Sequence, residues 1–119
     1  MTDHGTPPHL FDIVEACERV RGVLGDMSLD AFEADWQKQW LIQRGVEIIS
    51  EASRRLAGEI KARHPEIPWR NVADIGNVLR HNYENISAPI MWKLVLEGLP
   101  TLEQVCRDEI ARDLNEKAP

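Results

Sequence analysis

Residues 68–83 read Pro-Trp-Arg-Asn-Val-Ala-Asp-Ile-Gly-Asn-Val-Leu-Arg-His-Asn-Tyr and hold the side chains best suited to chemistry. At 100° per residue, Arg70, Asp74, Asn77 and His81 fall at i, i+4, i+7 and i+11 along one strip of a helix. Trp69, Val72, Ala73, Ile75, Gly76 and Leu79 gather on another side. Histidine, with an ordinary pKa of about 6.5, can take up or release a proton near neutral pH. Arginine offers a planar fork to an anion. Arg80 falls near the apolar side, one turn beyond Gly76, where packing has no use for a guanidinium. It needs a carboxylate, a phosphate or another subunit as partner. Gly76 costs a helix up to about 1 kcal/mol relative to alanine, which fits a place where a backbone or a ligand comes close. A solvated helix face would show the same four-residue strip. Tyr83 suits either a ligand contact or a brace at the helix end.

The surrounding elements read as helices. Ile13, Ala16, Cys17, Val20, Val23 and Leu24 recur at three and four, which predicts a first helix from about His9 to Leu24, closed by Gly25-Asp26. Ser28 caps a short second helix ending near Trp36. A long helix to about Arg63 buries Ile42, Val46, Ile49, Ala52, Leu56 and Ile60, with Glu51–Arg55 and Glu59–Arg63 as i,i+4 pairs. His64-Pro65-Glu66-Ile67-Pro68 ends it, and Pro68 opens a helix over about 68–81. Ser87 caps the last helix, with a kink at Gly98-Leu99-Pro100. No alternating pattern predicts a strand. About five helices with short connections point to an all-α, up-and-down bundle. The expected boundaries are a disordered lead-in over 1–8, one domain over 9–113 and a frayed end over 114–119.

Composition narrows the function classes. A net charge of −6 argues against a domain that coats nucleic acid through bulk electrostatics, yet leaves room for a small local site. No apolar run is long enough to cross a bilayer, and the first residues lack a secretory pattern, so a cytoplasmic protein with no membrane partner is expected. Cys17 and Cys106 lack CxxC spacing and read as buried thiols. His4, His9 and His64 lack metal-ligand spacing, so no metal and no cofactor are expected. Trp36, Trp40, Trp69 and Trp92 take core or interface positions.

The run IPWRNVADIGNVLRHNYENI, Ile67 to Ile86, resembles the signature region of the HepT-like family, a branch of the HEPN superfamily. Gln43 to Leu56, QRGVEIISEASRRL, is similar to that family's long second core helix. The likeness covers about residues 9–113 and is most specific at Asn77-Val78-Leu79-Arg80-His81-Asn82-Tyr83. It implies a HEPN-type helical bundle that forms a homodimer with the motif helices at the interface. It also implies a metal-independent ribonuclease, the toxin of a toxin–antitoxin pair controlled by a nucleotidyltransferase. The family motif is an arginine, four to six intervening residues, then histidine-x-tyrosine. His81 matches the histidine, Tyr83 the tyrosine and Asn77 the polar residue after the arginine, while Gly76 stands in the arginine's own place.

The resemblance implies His81 as general acid/base with Asn77 assisting at the phosphate, and Arg80, one turn from Gly76 and long enough to cover that distance, is expected to take the missing arginine's part. Tyr83 and Arg70 would bind RNA, Arg70 by way of an antiparallel partner helix. Tyr83 would also be the residue that the nucleotidyltransferase adenylylates. This chain has no Gly-Ser pair followed by an Asp-x-Asp cluster, so that transfer needs a partner protein. The competing expectation is a catalytically silent protein that docks a nucleotidyltransferase through the same surface.

Overall fold

Pro8 opens the first helix because its missing N–H falls where a helix has no acceptor to offer. In the computed structural model, which describes residues 7–82 and 87–118, this helix, α1, spans Pro8–Leu24. It closes at Gly25, whose φ of 53° suits a residue without Cβ and whose N–H reaches the Arg21 carbonyl at 2.9 Å. The Ser28 hydroxyl accepts from the Ala31 N–H and caps α2 (Leu29–Glu33). Asp35 does the same for the Lys38 N–H at the head of α3 (Trp36–Arg54).

The long helix expected to reach Arg63 is instead two. The Ala57 backbone is extended, and a separate α4 spans Gly58–Arg63. Gly58 explains the break, since a glycine inside a helix is unfavourable but serves well in its first turn. Glu51 and Arg55 pair as expected at 2.8 Å. Arg63 does not take Glu59; its guanidinium binds Glu109 with two hydrogen bonds, of 3.1 and 2.6 Å.

After the Pro65–Pro68 break, α5 spans Trp69–Asn82. Ser87 caps α6 (Ala88–Lys93), which continues through a π turn at Leu94–Gly98 into α7 (Leu99–Lys117). Pro100 offers no N–H to the carbonyl of Leu96, so the ladder cannot close there in the α pattern. The expected irregularity is therefore present, displaced one turn towards the N-terminus. α7 stays helical past residue 113.

α3 packs between α1 and α5, and α7 lies along α1. Phe32, Leu10, Ile13, Ile42, Ile49, Leu79 and Met91 form the centre of the core. Cys17 and Cys106 lie within it, and burial pushes both thiols up to about 12. Among the described residues there is no strand, and no helix is long and apolar enough to cross a membrane. The expected all-α bundle is the observed one.

Candidate functional site on the α3–α5 face

α5 divides as its sequence predicts. Leu79 and Gly76 are buried, Val72, Ala73 and Ile75 are half-buried, and Arg70, Asp74, Asn77, Arg80 and His81 are exposed. The buried side meets α3, and the contact centres on two small residues. The Ser50 hydroxyl donates to the Ala73 carbonyl at 2.8 Å and accepts from the Gly76 N–H at 3.1 Å. A Cβ at position 76 would stand 2.6 Å from Ser50 Oγ and 2.9 Å from Ser50 Cβ. Gly76 is therefore a packing requirement in this chain, because the site of any larger side chain is already filled by α3.

Arg80 is exposed, and its partner is not the carboxylate the sequence reading allowed for. Its Nη2 donates to the Asn77 side-chain oxygen, one turn back on the same helix. Its Nη1 lies 3.8 Å from the point where a Cβ at 76 would be. The guanidinium thus folds back along α5 to border the place that glycine leaves without a side chain. Arg80, Asn77 and Gly76 meet in space, with His81 one residue beyond on the exposed strip. Arg70 is exposed at the far end of α5, about 16 Å away along the helix, so one helix cannot bring it to His81. Tyr83 lies outside the described residues.

Two residues that sequence reasoning passed over complete this face. One is Ser50. The other is Arg54, whose Nε and Nη2 both donate to the Ala73 carbonyl, at 3.0 and 2.7 Å. A signal for the first was present: Ser50 and Ser53 are polar residues on the buried stripe of α3, and a hydroxyl there must find a partner. Nothing local marks Arg54, whose acceptor is 19 residues away in sequence.

A cleft of about 260 Å³ opens beside Arg80, lined also by His9, Asp12, Arg44, Glu51 and Arg55. The Glu51 carboxyl is held below its ordinary range by its hydrogen bond from Arg55, and the charges of Arg54 and Arg80 also act on it. Among the described residues no three His, Cys, Asp or Glu side chains converge in the way a metal site needs. The exposed guanidinium groups of this face are donors of the kind an anion takes, and His81 is exposed one residue after Arg80.

Residues 13–109 match the family model described as "Ribonuclease HepT-like". The chain is 36% identical over 95 residues to a protein of Thermococcus cleftensis named "Probable ribonuclease HepT", covering 80% of this chain and 86% of that one. It is 29% identical over 110 residues to a protein of Methanocaldococcus jannaschii with a provisional RNase name, covering 89% and 91%. A similarly named protein of Caldanaerobacter subterraneus is also 29% identical over 110 residues, covering 89% and 95%. No solved structure matches the chain.

Proposed function

The chain belongs to the HepT-like ribonuclease family, and from that premise we propose that it is a metal-independent endoribonuclease acting on cytoplasmic RNA. We further read it as the toxin of a toxin–antitoxin pair, working as a homodimer under the control of a nucleotidyltransferase. The observation that carries the catalytic reading is the Arg80 guanidinium folded over Gly76 onto Asn77, one residue from His81. A cation stands next to the place of the motif arginine although the residue there is glycine.

Cleavage needs a base for the 2′-hydroxyl, an acid for the leaving 5′-oxygen and positive charge on the phosphate. His81 removes the 2′ proton, the 2′-oxygen bonds to phosphorus, and the bond to the 5′-oxygen breaks. The proton for that oxygen comes from His81 of the partner subunit, as a two-fold axis supplies one histidine for each role. Arg80, oriented by Asn77, neutralises the phosphate. Tyr83 contacts the RNA and is the residue the nucleotidyltransferase adenylylates, which would close the cleft by bulk and charge.

One observation favours the second reading, a silent partner that docks a nucleotidyltransferase. Position 76 is closed by Ser50, so no side chain can emerge there. Incubation of the purified chain with mixed RNA in EDTA, beside His81→Ala and Arg80→Ala, separates the two. Cutting by the parent that drops at least about 100-fold in both variants is the expected result. Intact RNA in all three reactions, with an intact mass that shows no adenylyl group on Tyr83, rules the ribonuclease out and leaves the silent partner.

A further inference from the structure

The arginines of this acidic chain sort into two sets. Of the ten, seven stand within ion-pair distance of a carboxylate: Arg19, Arg21, Arg44, Arg55, Arg63, Arg107 and Arg112. The three with no carboxylate within ion-pair distance among the described residues are Arg54, Arg70 and Arg80, although the charges of Arg54 and Arg80 are felt at Glu51. All three lie on α5 or are hydrogen-bonded to it. Asp74 is four residues from Arg70 on the same strip, and still the two make no ion pair. Glu51, the nearby acid, is held by Arg55.

Their placement is ordered along α5. Arg54 reaches across from α3 and puts two N–H groups on the Ala73 carbonyl, the acceptor that Ser50 also uses beside Gly76. A guanidinium has five N–H donors, so three of Arg54 remain for a ligand. Arg80 comes from the opposite end of the same stretch, with Nη1 3.8 Å from the missing Cβ of position 76. Arg70 lies one turn before Ala73 and His81 one residue after Arg80. From Arg70 to His81 is about 16 Å, the length of a few nucleotides.

We propose that Arg54 of α3 and Arg80 of α5 together form a phosphate-binding site beside Gly76. With Arg70 they make a track that leads single-stranded RNA to His81. Arg54 is the new assignment, a residue from a second helix supplying charge next to a position where α5 cannot carry a side chain. The inference rests on the ribonuclease reading and adds where the strand runs. RNA is favoured over an acidic protein because these guanidinium groups, with no carboxylate in ion-pair distance among the described residues, flank the helix that bears the histidine.

The test is fluorescence anisotropy with a fluorescein-labelled, 12-nucleotide mixed-sequence RNA, across a salt series, using full-length chain in the His81→Ala background so that the strand stays intact. Each phosphate contact to a single strand contributes about 0.7 to the slope of log affinity against log salt. Arg54→Gln and Arg80→Gln are each expected to lower that slope by about 0.7 and to weaken binding about threefold at low salt. Arg54→Lys keeps the charge and should keep the slope. Arg19→Gln, which removes the same charge from an exposed pair on α1, should change neither.

An Arg54→Gln slope equal to that of Arg19→Gln overturns the track, even if the variant melts earlier, because that result assigns Arg54 to packing alone. Poly-glutamate competing as well as unlabelled RNA also overturns it, in favour of an acidic protein ligand. If the parent neither binds nor cuts RNA, the ribonuclease reading fails and the track goes with it. If the parent cuts RNA while Arg54→Gln binds with an unchanged slope, only the track falls.

Discussion

At position 76 a Cβ would overlap a serine that is 1% exposed and hydrogen-bonded on both sides. Alanine would gain up to about 1 kcal/mol of helix propensity, but overpacking a closed contact costs about 1–3 kcal/mol. Because both Ser50 Oγ and its Cβ must move, the clash should win. Gly76→Ala is expected to lower unfolding stability by about 1–2 kcal/mol in a urea melt. Ser50→Gly combined with Gly76→Ala should recover part of that loss, since the two positions exchange the same small volume. Unaltered stability in Gly76→Ala alone would mean that α3 and α5 are not in close contact there. By the same geometry Gly76→Arg should not restore the family's arginine in its usual place. It would push α5 away from α3 before it reached any phosphate.

The elements that position this face start from their caps. α3 carries Ser50 and Arg54, and Asp35 holds its first turn by accepting from the Lys38 N–H at 3.0 Å. Removal of such a cap costs about 1 kcal/mol. Asp35→Ala should therefore lower the urea midpoint by that equivalent with an unchanged m-value, whereas a lower m-value would point to a changed native or denatured state. α5 has less of its own to hold it. Trp69 anchors its start through an indole N–H shared by the Lys61 and His64 carbonyls, and Ser50 and Arg54 hold its middle. The α3–α5 contact is thus both the packing of the helix and the floor of the candidate site. Trp36 and Trp40, expected at core or interface positions, face outward from α3 and meet each other edge-on at 4.9 Å. Trp40 nonetheless borders a shallow cleft with Leu79 and Arg80 of α5.

Across the whole molecule, two buried glutamates tie α7 to the rest. Glu103 takes Arg21 of α1 and Arg107, and Glu109 takes Arg63 at 2.6 Å and His64 Nε2 at 2.6 Å. Hydrogen bonding from Arg63, against the opposing effect of burial, lowers the Glu109 pKa from its ordinary 4.5. For Glu103 burial is the largest single influence and acts upward, yet Arg21 and Arg107 together outweigh it and the net shift is downward. A carboxylate lowered in the fold contributes stability that is present above its unfolded pKa and lost as pH falls through the folded one. The chain should therefore lose stability as pH drops below about 4.5. Glu109→Gln should be less stable at pH 7 by about 1–3 kcal/mol, because Arg63 is partly solvated and recovers some of its lost partner from water. It should also show a shallower acid limb in thermal melts taken from pH 7 to pH 3. An acid limb as steep as the parent's would place the titration elsewhere.

Much of this molecule was written in local pattern. Three-and-four periodicity, the caps Ser28 and Ser87 and the prolines at 65 and 68 each act within a few residues of themselves, so the helices could be drawn from the sequence. The family could be recognised on the run from Ile67 to Ile86, and so could the exposed strip bearing Asn77 and His81. The partner of Arg63 could not, since Glu59 and Glu109 offer the same charge and only the fold decides which is near. Nor could the end of α3 at Arg54, where Gly58 had to compete with an otherwise continuous apolar stripe. Periodicity gives the angle at which a side chain leaves its helix, but not what stands opposite. For that reason only the tertiary structure could show Ser50 filling the place beside Gly76, Arg80 folding back over it, and Arg54 arriving from another helix at the Ala73 carbonyl.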